Sequence, residues 1–205
     1  SPDLRRQLLS NKIKKVSSVI FTHEHADQTN GLFELRPFYW ENKKKVNIYG
    51  NLRTINYLRK SQEYLFKKIS THPPIVRANV INSSFSLGKL NEAVHFKAIN
   101  AKHGKTSSVI YIFEHTAYVS DCDDLSIVKI KELQNLKYLI LDCLKFKKHA
   151  SHFNLKESLY VHHCLNPKKT ILTNLHYDLD YDVLLRKLPK NVLPAYDGLS
   201  LNLQD

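Results

Sequence analysis

The sequence predicts an α+β fold in one domain over residues 1–205, and three observations carry that prediction. A short β-branched and aromatic run, Val16 to Phe21, delivers the chain directly to a polar turn. A tight hairpin, Ser108 to Phe113 and Ala117 to Ser120 around Glu114-His115, lies near the middle. The second half then alternates strand-like with helix-like segments. With 205 residues, 42% hydrophobic and 24% charged, the chain can bury a sizeable core.

The elements follow in order. After Asn30-Gly31, the stretch Leu32 to Trp40 reads as helical turns, and Val46 to Tyr49 as a strand closed by Gly50-Asn51. Leu52, Ile55, Leu58, Leu65 and Ile69 recur at near-helical spacing and predict the longest helix. His72-Pro73-Pro74 ends it, because proline lacks the amide hydrogen and restricts its predecessor, so a loop is expected there. Val94 to Ile99 reads as a strand ahead of the hairpin. Tyr138 to Leu141, Thr170 to Thr173 and Val192 to Leu193 read as further strands, interleaved with helical patterns at Leu125 to Leu133, Leu155 to Cys164 and Tyr181 to Leu188. There is no internal repeat or low-complexity segment.

Charge and cysteine content bound the function classes. The balance of 31 Lys and Arg against 19 Asp and Glu, +12 overall, suits nucleic acid, an anionic membrane surface or phosphorylated substrates, and does not choose between them. Its spread among Asn and Ile is equally that of a solvated surface. Cys122, Cys143 and Cys164 form no C-x-x-C pair, and their odd number points to a reduced, cytoplasmic compartment. No apolar run approaches the roughly 20 residues of a bilayer span, so no membrane partner is expected.

Thr22-His23-Glu24-His25-Ala26-Asp27 places two imidazoles and a carboxylate within five positions after a strand. Mixed nitrogen and oxygen donors at such spacing suit zinc, manganese or iron and leave a position open for water; two solvated histidines beside an acid are the plain alternative. Further candidates close later strands: His103 in Lys102-His103-Gly104, Asp121 after Ser120, and His176 in Asn174-Leu175-His176. Asp142, closing Leu139-Ile140-Leu141, suits either orienting a ligating imidazole or capping the next turn. His72, His115, His162 and His163 read as structural or surface residues.

The ordered series His-x-His-x-Asp, His, Asp, His resembles the signature of the metallo-β-lactamase superfamily. Ser1-Pro2-Asp3-Leu4-Arg5, Gly31-Leu32-Phe33-Glu34-Leu35-Arg36, Ser151-His152-Phe153, Leu172-Thr173-Asn174-Leu175-His176 and Pro194-Ala195-Tyr196-Asp197-Gly198 resemble the branch that contains the phosphodiesterase opening phosphoribosyl 1,2-cyclic phosphate. The resemblance implies an αβ/βα sandwich and a metal-dependent hydrolase with two divalent ions, zinc or manganese. It places His23, His25 and His103 on the first ion, Asp27 and His176 on the second, and Asp121 between them. It also implies a hydroxide made from water attacking a small cyclic or nucleotide-like phosphate, with Asp27 orienting the attacking oxygen and His152, or next His149, protonating the leaving alkoxide.

The pattern departs from the family at two places. Gln28 stands where the family has a histidine ligand of the second ion, and an amide oxygen coordinates such metals more weakly than imidazole does. The family's first strands, with their glycine-rich stretch, are also expected before Ser1-Pro2-Asp3, which raises a homodimer or a separate chain as the supplier of the missing piece. Two alternatives therefore stand beside the phosphodiesterase: a weak or silent protein with a degenerate second site, and an RNA-processing nuclease similar to tRNA 3′-end endonucleases, motivated by the charge.

Overall fold

The computed structural model describes residues 1–89 and 91–203. The chain divides into two compact units, Ser1–Asn82 and Ser83–Asp205, each with its own sheet and core.

The first unit opens with helix α1 (Leu4–Ser10) and carries a three-stranded parallel sheet, β1 (Ser18–Ile20), β2 (Val46–Gly50) and β3 (Val76–Val80), in that order. Helices α2 (Ala26–Thr29), α3 (Arg36–Asn42) and α4 (Leu52–Ser61) complete it. Val46, Ile48 and Gly50 are buried on alternate positions of β2, and Ile48 packs with Leu32, Leu35, Ile55, Leu58 and Leu65. The predicted long helix is corrected: α4 stops at Ser61, Leu65 lies in a separate 3-10 turn, and Ile69 pairs with His72 in an isolated bridge. The apolar spacing survives because the 3-10 turn still aims Leu65 into the core, while Ile69 is exposed. The longest helix is α5 instead, at 11 residues. The loop expected at His72-Pro73-Pro74 is present and short, since β3 begins at Val76; its Arg77 and Asn79 hid that strand from an apolar pattern.

The second unit is a seven-stranded mixed sheet of β4 (Ser84–Leu87), β5 (Val94–His103), β6 (Thr106–Phe113), β7 (Thr116–Val119), β8 (Tyr138–Asp142), β9 (Lys169–Thr173) and β10 (Val192–Pro194). Strands neighbour one another in chain order. Pairing is antiparallel from β4 to β7 and parallel from β7 to β10. The β6–β7 hairpin turns at Glu114 and His115, both at positive φ, as a two-residue hairpin turn requires. The pattern at Leu125 to Leu133 forms two 3-10 helices, while α5 (Leu155–Leu165) and α6 (Tyr181–Lys187) fill the later crossovers.

This topology sets up a site. Two antiparallel steps restore the direction of β5 in β7, and β8 and β9 run parallel to β7. The carboxyl ends of β5, β7, β8 and β9 therefore share one end of the sheet, where open α/β sheets present their ligand-binding loops. Beneath that end lies a core of Ile110, Val119, Leu139, Leu141, Phe153, Val161 and Leu172.

Leu139→Ala, in the middle of that core, is expected to cost about 2–5 kcal/mol. Leu9→Ala, at a side chain 68% exposed, should stay within about 0.5 kcal/mol. Urea unfolding of the two variants checks the contrast.

Candidate metal centre

In the second unit the four coincident strand ends deliver polar side chains. His103 is the last residue of β5, Asp121 follows β7, Asp142 ends β8, and Asn174 follows β9. All but Asn174 are buried. Asp121 and Asn174 hold left-handed backbone, at φ 56° and 62°; asparagine and aspartate tolerate that region better than most residues.

Asp142 is 0% exposed and is surrounded by donors. One oxygen accepts from the backbone N–H of Cys122 (3.1 Å) and Phe153 (3.2 Å), and His152 Nδ1 donates to the same oxygen at 2.9 Å. The other accepts from Asn174 Nδ2 at 2.9 Å. Asp142 thus orients an imidazole, one of the two alternatives its strand-end position suggested, and the backbone amides it holds belong to Cys122 and Phe153 rather than to the turn that follows β8. Asn174 Nδ2 also reaches Asp121 Oδ2 and Ser120 Oγ, each at 3.2 Å, and Ser120 Oγ donates to Asp121 Oδ2. One amide group therefore links the two buried carboxylates.

The histidines share an orientation. His103 Nδ1 lies 2.7 Å from the Ser151 carbonyl oxygen, His152 Nδ1 faces Asp142, and His176 Nδ1 lies 2.9 Å from Asp178 Oδ1. Carbonyl and carboxylate oxygens only accept, so each ring carries its hydrogen on Nδ1 and turns the Nε2 lone pair outward. Such outer-shell acceptors fix the tautomer of metal-ligating histidines. His103 Nε2 and His152 Nε2 each lie 3.9 Å from Asp121 Oδ1, and one ligand atom from each of the three residues falls within 4.8 Å of the others. Two donors about 2.0–2.2 Å from a tetrahedral ion stand about 3.4 Å apart, so this spacing needs to close by about half an ångström. Neutral imidazole with carboxylate is the donor set of zinc or manganese, and the residues present fit such an ion.

Gly104 supports the arrangement. It sits at φ 59°, and a Cβ there would come within 2.8 Å of Ser151 Cβ, against the residue whose carbonyl holds His103. Asp123 accepts the Gly104 N–H at 3.1 Å and fixes the turn. An Asn154–Glu157 capping box starts α5 just after His152 and Phe153.

In the first unit, His23 is fully buried, with Thr22 Oγ1 3.1 Å from its Nδ1, and its ring meets that of His25 edge to face at 4.5 Å. Glu24, buried between these histidines in sequence, pairs with Arg53 at 2.6 Å. His25 precedes α2, and Asp27 is exposed in its first turn. Gln28 Nε2 donates to Asp27 Oδ2 at 3.0 Å.

Among the remaining candidates, His149 has Ser151 Oγ 3.3 Å from its Nδ1 and stacks obliquely on His152 at 5.3 Å. Desolvation, then the His152 and Lys145 charges, lower its pKa. His176 stands outside the three-residue cluster, and His152 stands inside it, a position that its expected role as a proton donor did not require. His162 is buried in α5 against Thr170 Oγ1, while His72, His115 and His163 are exposed. Asn174 and the Ser151 carbonyl are the contributors that sequence reasoning missed. A backbone acceptor leaves no residue-type signal, and Asn174 drew notice only as part of the His176 motif.

The sequence profile of the beta-lactamase superfamily domain matches residues 1–177. The chain belongs to that family. It has the metallo-β-lactamase fold and is similar to the crystal structure of a new diphosphatase from the PhnP family, at 29% identity and a TM-score of 0.84, over 97% of this chain and 75% of that one. Human tRNase Z, short form, matches at a TM-score of 0.70 and 16% identity over 99% of this chain and 86% of that one, a likeness of fold alone. Among curated proteins, an octanoyltransferase of Porphyromonas gingivalis is 25% identical over 203 residues. That match takes in 97% of this chain, which spans 40% of the relative's length. Among the described residues, no helix is long and apolar enough to cross a membrane.

Two outcomes test the site's construction. Asp142→Ala leaves two buried amides and an imidazole without their acceptor and should cost about 3–5 kcal/mol in chemical denaturation. Burial pushes the Cys122 and Cys143 thiols up to about 12 while Cys164 is exposed, so native protein should yield about one fast-reacting thiol per chain to Ellman's reagent and three after denaturation. Because the folded values lie above the unfolded value of 9.0, the stability that these neutral thiols contribute is present below pH 9 and is lost as pH rises toward 12.

Proposed function

We propose that the chain is a metal-dependent phosphodiesterase acting on a small cyclic or nucleotide-like phosphate. His23, His25 and His103 would hold one divalent ion, Asp27 and His176 a second, and Asp121 both. The reading is carried by the common orientation of His103, His152 and His176, each with Nδ1 engaged by an oxygen acceptor and Nε2 presented, the first two toward Asp121. The likeness to the PhnP-family diphosphatase supports phosphorus chemistry.

Zinc or manganese bound there would offset the phosphoryl charge and yield a nucleophile from water near neutral pH. Asp27, exposed at the head of α2, accepts a hydrogen bond from the attacking water and aligns it. His152 passes a proton from Nε2 to the departing alkoxide. Asp142 balances the charge of the doubly protonated ring and keeps it from turning. His149 is the second choice as donor, since its Nδ1 meets a serine hydroxyl and no carboxylate faces it at hydrogen-bond distance among the described contacts.

A second reading rests on Gln28. Its amide donates to Asp27 and so occupies a lone pair that an ion would otherwise take. In that reading the second ion is weakly held and turnover is low or absent.

Elemental mass spectrometry and turnover of bis(p-nitrophenyl) phosphate with added zinc or manganese separate the two. The phosphodiesterase reading expects close to two ions per chain and measurable turnover. His152→Ala should keep the ions and lose about 10²-fold or more in kcat, whereas His103→Ala should lose metal. One ion or none, with turnover appearing only in Gln28→His, would establish the degenerate site instead.

A further inference from the structure

The second unit carries one large side chain that its core does not use. Tyr177 is 91% exposed, the most open of the large hydrophobic side chains among the described residues. Its backbone is nevertheless fixed. It follows His176, whose N–H donates to the Leu144 carbonyl at 2.9 Å, and it sits in a turn closed by the Leu179 N–H on the His176 carbonyl at 2.9 Å. Leu179, 4% exposed, anchors that turn in the core. The Tyr177 ring lies against that of His176, with centroids 4.1 Å apart and planes 41° apart. The turn and this contact hold the tyrosine in place while its outer face stays bare to water. A planar guest that covers such a face removes apolar area from water, and the side chain has little freedom left to lose.

The position of the ring restricts the guest. Tyr177 is three residues from Asn174, so their Cα atoms are at most about 11 Å apart. Asn174 Nδ2 lies 3.2 Å from Asp121 Oδ2 and 2.9 Å from Asp142 Oδ1. A small molecule whose anionic end sits at Asp121 and the neighbouring histidines can therefore reach the tyrosine with its other end. The carboxylates beside the ring are already engaged. Asp178 Oδ1 lies 2.9 Å from His176 Nδ1, and Asp180 Oδ1 accepts the Val183 N–H at 2.8 Å as the cap of α6. The turn thus offers a flat face more than free hydrogen-bonding groups. That suits a nucleobase, which binds by stacking, better than a sugar, which needs partners for its hydroxyls, or an acyl chain, which is not flat.

We propose that Tyr177 stacks on the base of a nucleotide whose phosphate occupies the centre at Asp121 and His152, which makes the substrate class a nucleoside phosphodiester. The phosphodiesterase reading supplies the chemistry on which this rests, and Tyr177 adds the contact that favours a nucleotide over a base-free diester. Because every base has a π-face, the residue selects for the presence of a base rather than its identity.

The test compares the zinc- or manganese-loaded full chain with Tyr177→Ala, Tyr177→Phe and Tyr160→Ala, the last at an exposed tyrosine on α5. The substrates are adenosine 2′,3′-cyclic phosphate and methyl riboside 2,3-cyclic phosphate, the same diester without a base. Tyr177→Ala should raise KM for the nucleotide about 5- to 100-fold with kcat within about 2-fold, and should leave the riboside within about 2-fold. The riboside also reports any disturbance of His176. Tyr177→Phe, which keeps the ring, and Tyr160→Ala should match wild type within about 2-fold on both substrates. Calorimetric titration with adenosine monophosphate needs no turnover and should show the same loss in Tyr177→Ala, with Tyr177→Phe and Tyr160→Ala binding as wild type does. Equal adenosine monophosphate affinity of wild type and folded Tyr177→Ala, an equal loss on the riboside, or no saturable binding by wild type would each overturn the assignment. Turnover of neither diester, with Tyr177-dependent binding intact, would overturn the phosphodiesterase reading and leave the stacking contact standing.

Discussion

Moving a carboxylate out of water costs several kcal/mol unless donors replace the lost hydration, and Asp142, at 0% exposure, meets donors from four residues. That requirement organises the second unit's site. To satisfy the carboxylate, the Cys122 amide after β7, the Phe153 amide before α5 and the Asn174 side chain after β9 must all converge on the end of β8. The convergence sets the position of His152, one residue before Phe153, and of Ser151, whose carbonyl holds His103. The metal-facing geometry follows from satisfying a buried charge.

The same logic explains the neighbouring backbone. Asp121 takes left-handed φ, which costs a non-glycine residue something of the order of 1 kcal/mol, and its side chain is held by Ser120 and Asn174. Asn174, left-handed as well, reaches both Asp121 and Asp142 through one amide group. Local strain is tolerated at the strand ends because the β-ladders below them and the packed core of Leu139, Leu141 and Leu172 hold those ends in place. The first unit uses a similar device, with Glu24 buried against Arg53 while His23 and His25 meet edge to face.

Much of this was legible in the residues. Of the chemistry-bearing positions singled out, His103, Asp121, Asp142 and His176 lie at or just after strand ends and His23 and His25 follow β1, as short β-branched runs ending in His or Asp suggested; Asp27 and Gln28 lie in α2, and His149 and His152 in the segment ahead of α5. The hairpin at Glu114-His115 and the alternation after it were visible because their apolar periods are clean. Strands β3 and β4 were hidden, since Arg77, Asn79, Ser84 and Ser86 break the apolar run; β3 draws its order from β2, distant in sequence, and β4 from the adjoining β5. The Leu52-to-Ile69 periodicity overran α4 because a 3-10 turn preserves the burial of Leu65. Tertiary acceptors such as the Ser151 carbonyl leave no trace in residue type, and Asn174 acquires meaning only once two carboxylates are placed beside it.

Buried acceptors set the histidine tautomers and so present Nε2 for metal or proton transfer. Long-range ¹H–¹⁵N correlation spectra of the metal-free protein at pH 8, with His103 and His152 assigned by single substitution, test it directly. Both rings should appear with hydrogen on Nδ1 and a bare Nε2, and His152 should change its pattern in Asp142→Asn. Either ring found with its single hydrogen on Nε2 and a bare Nδ1 in the wild-type protein would contradict the account, because the buried acceptor would then not be what sets the tautomer.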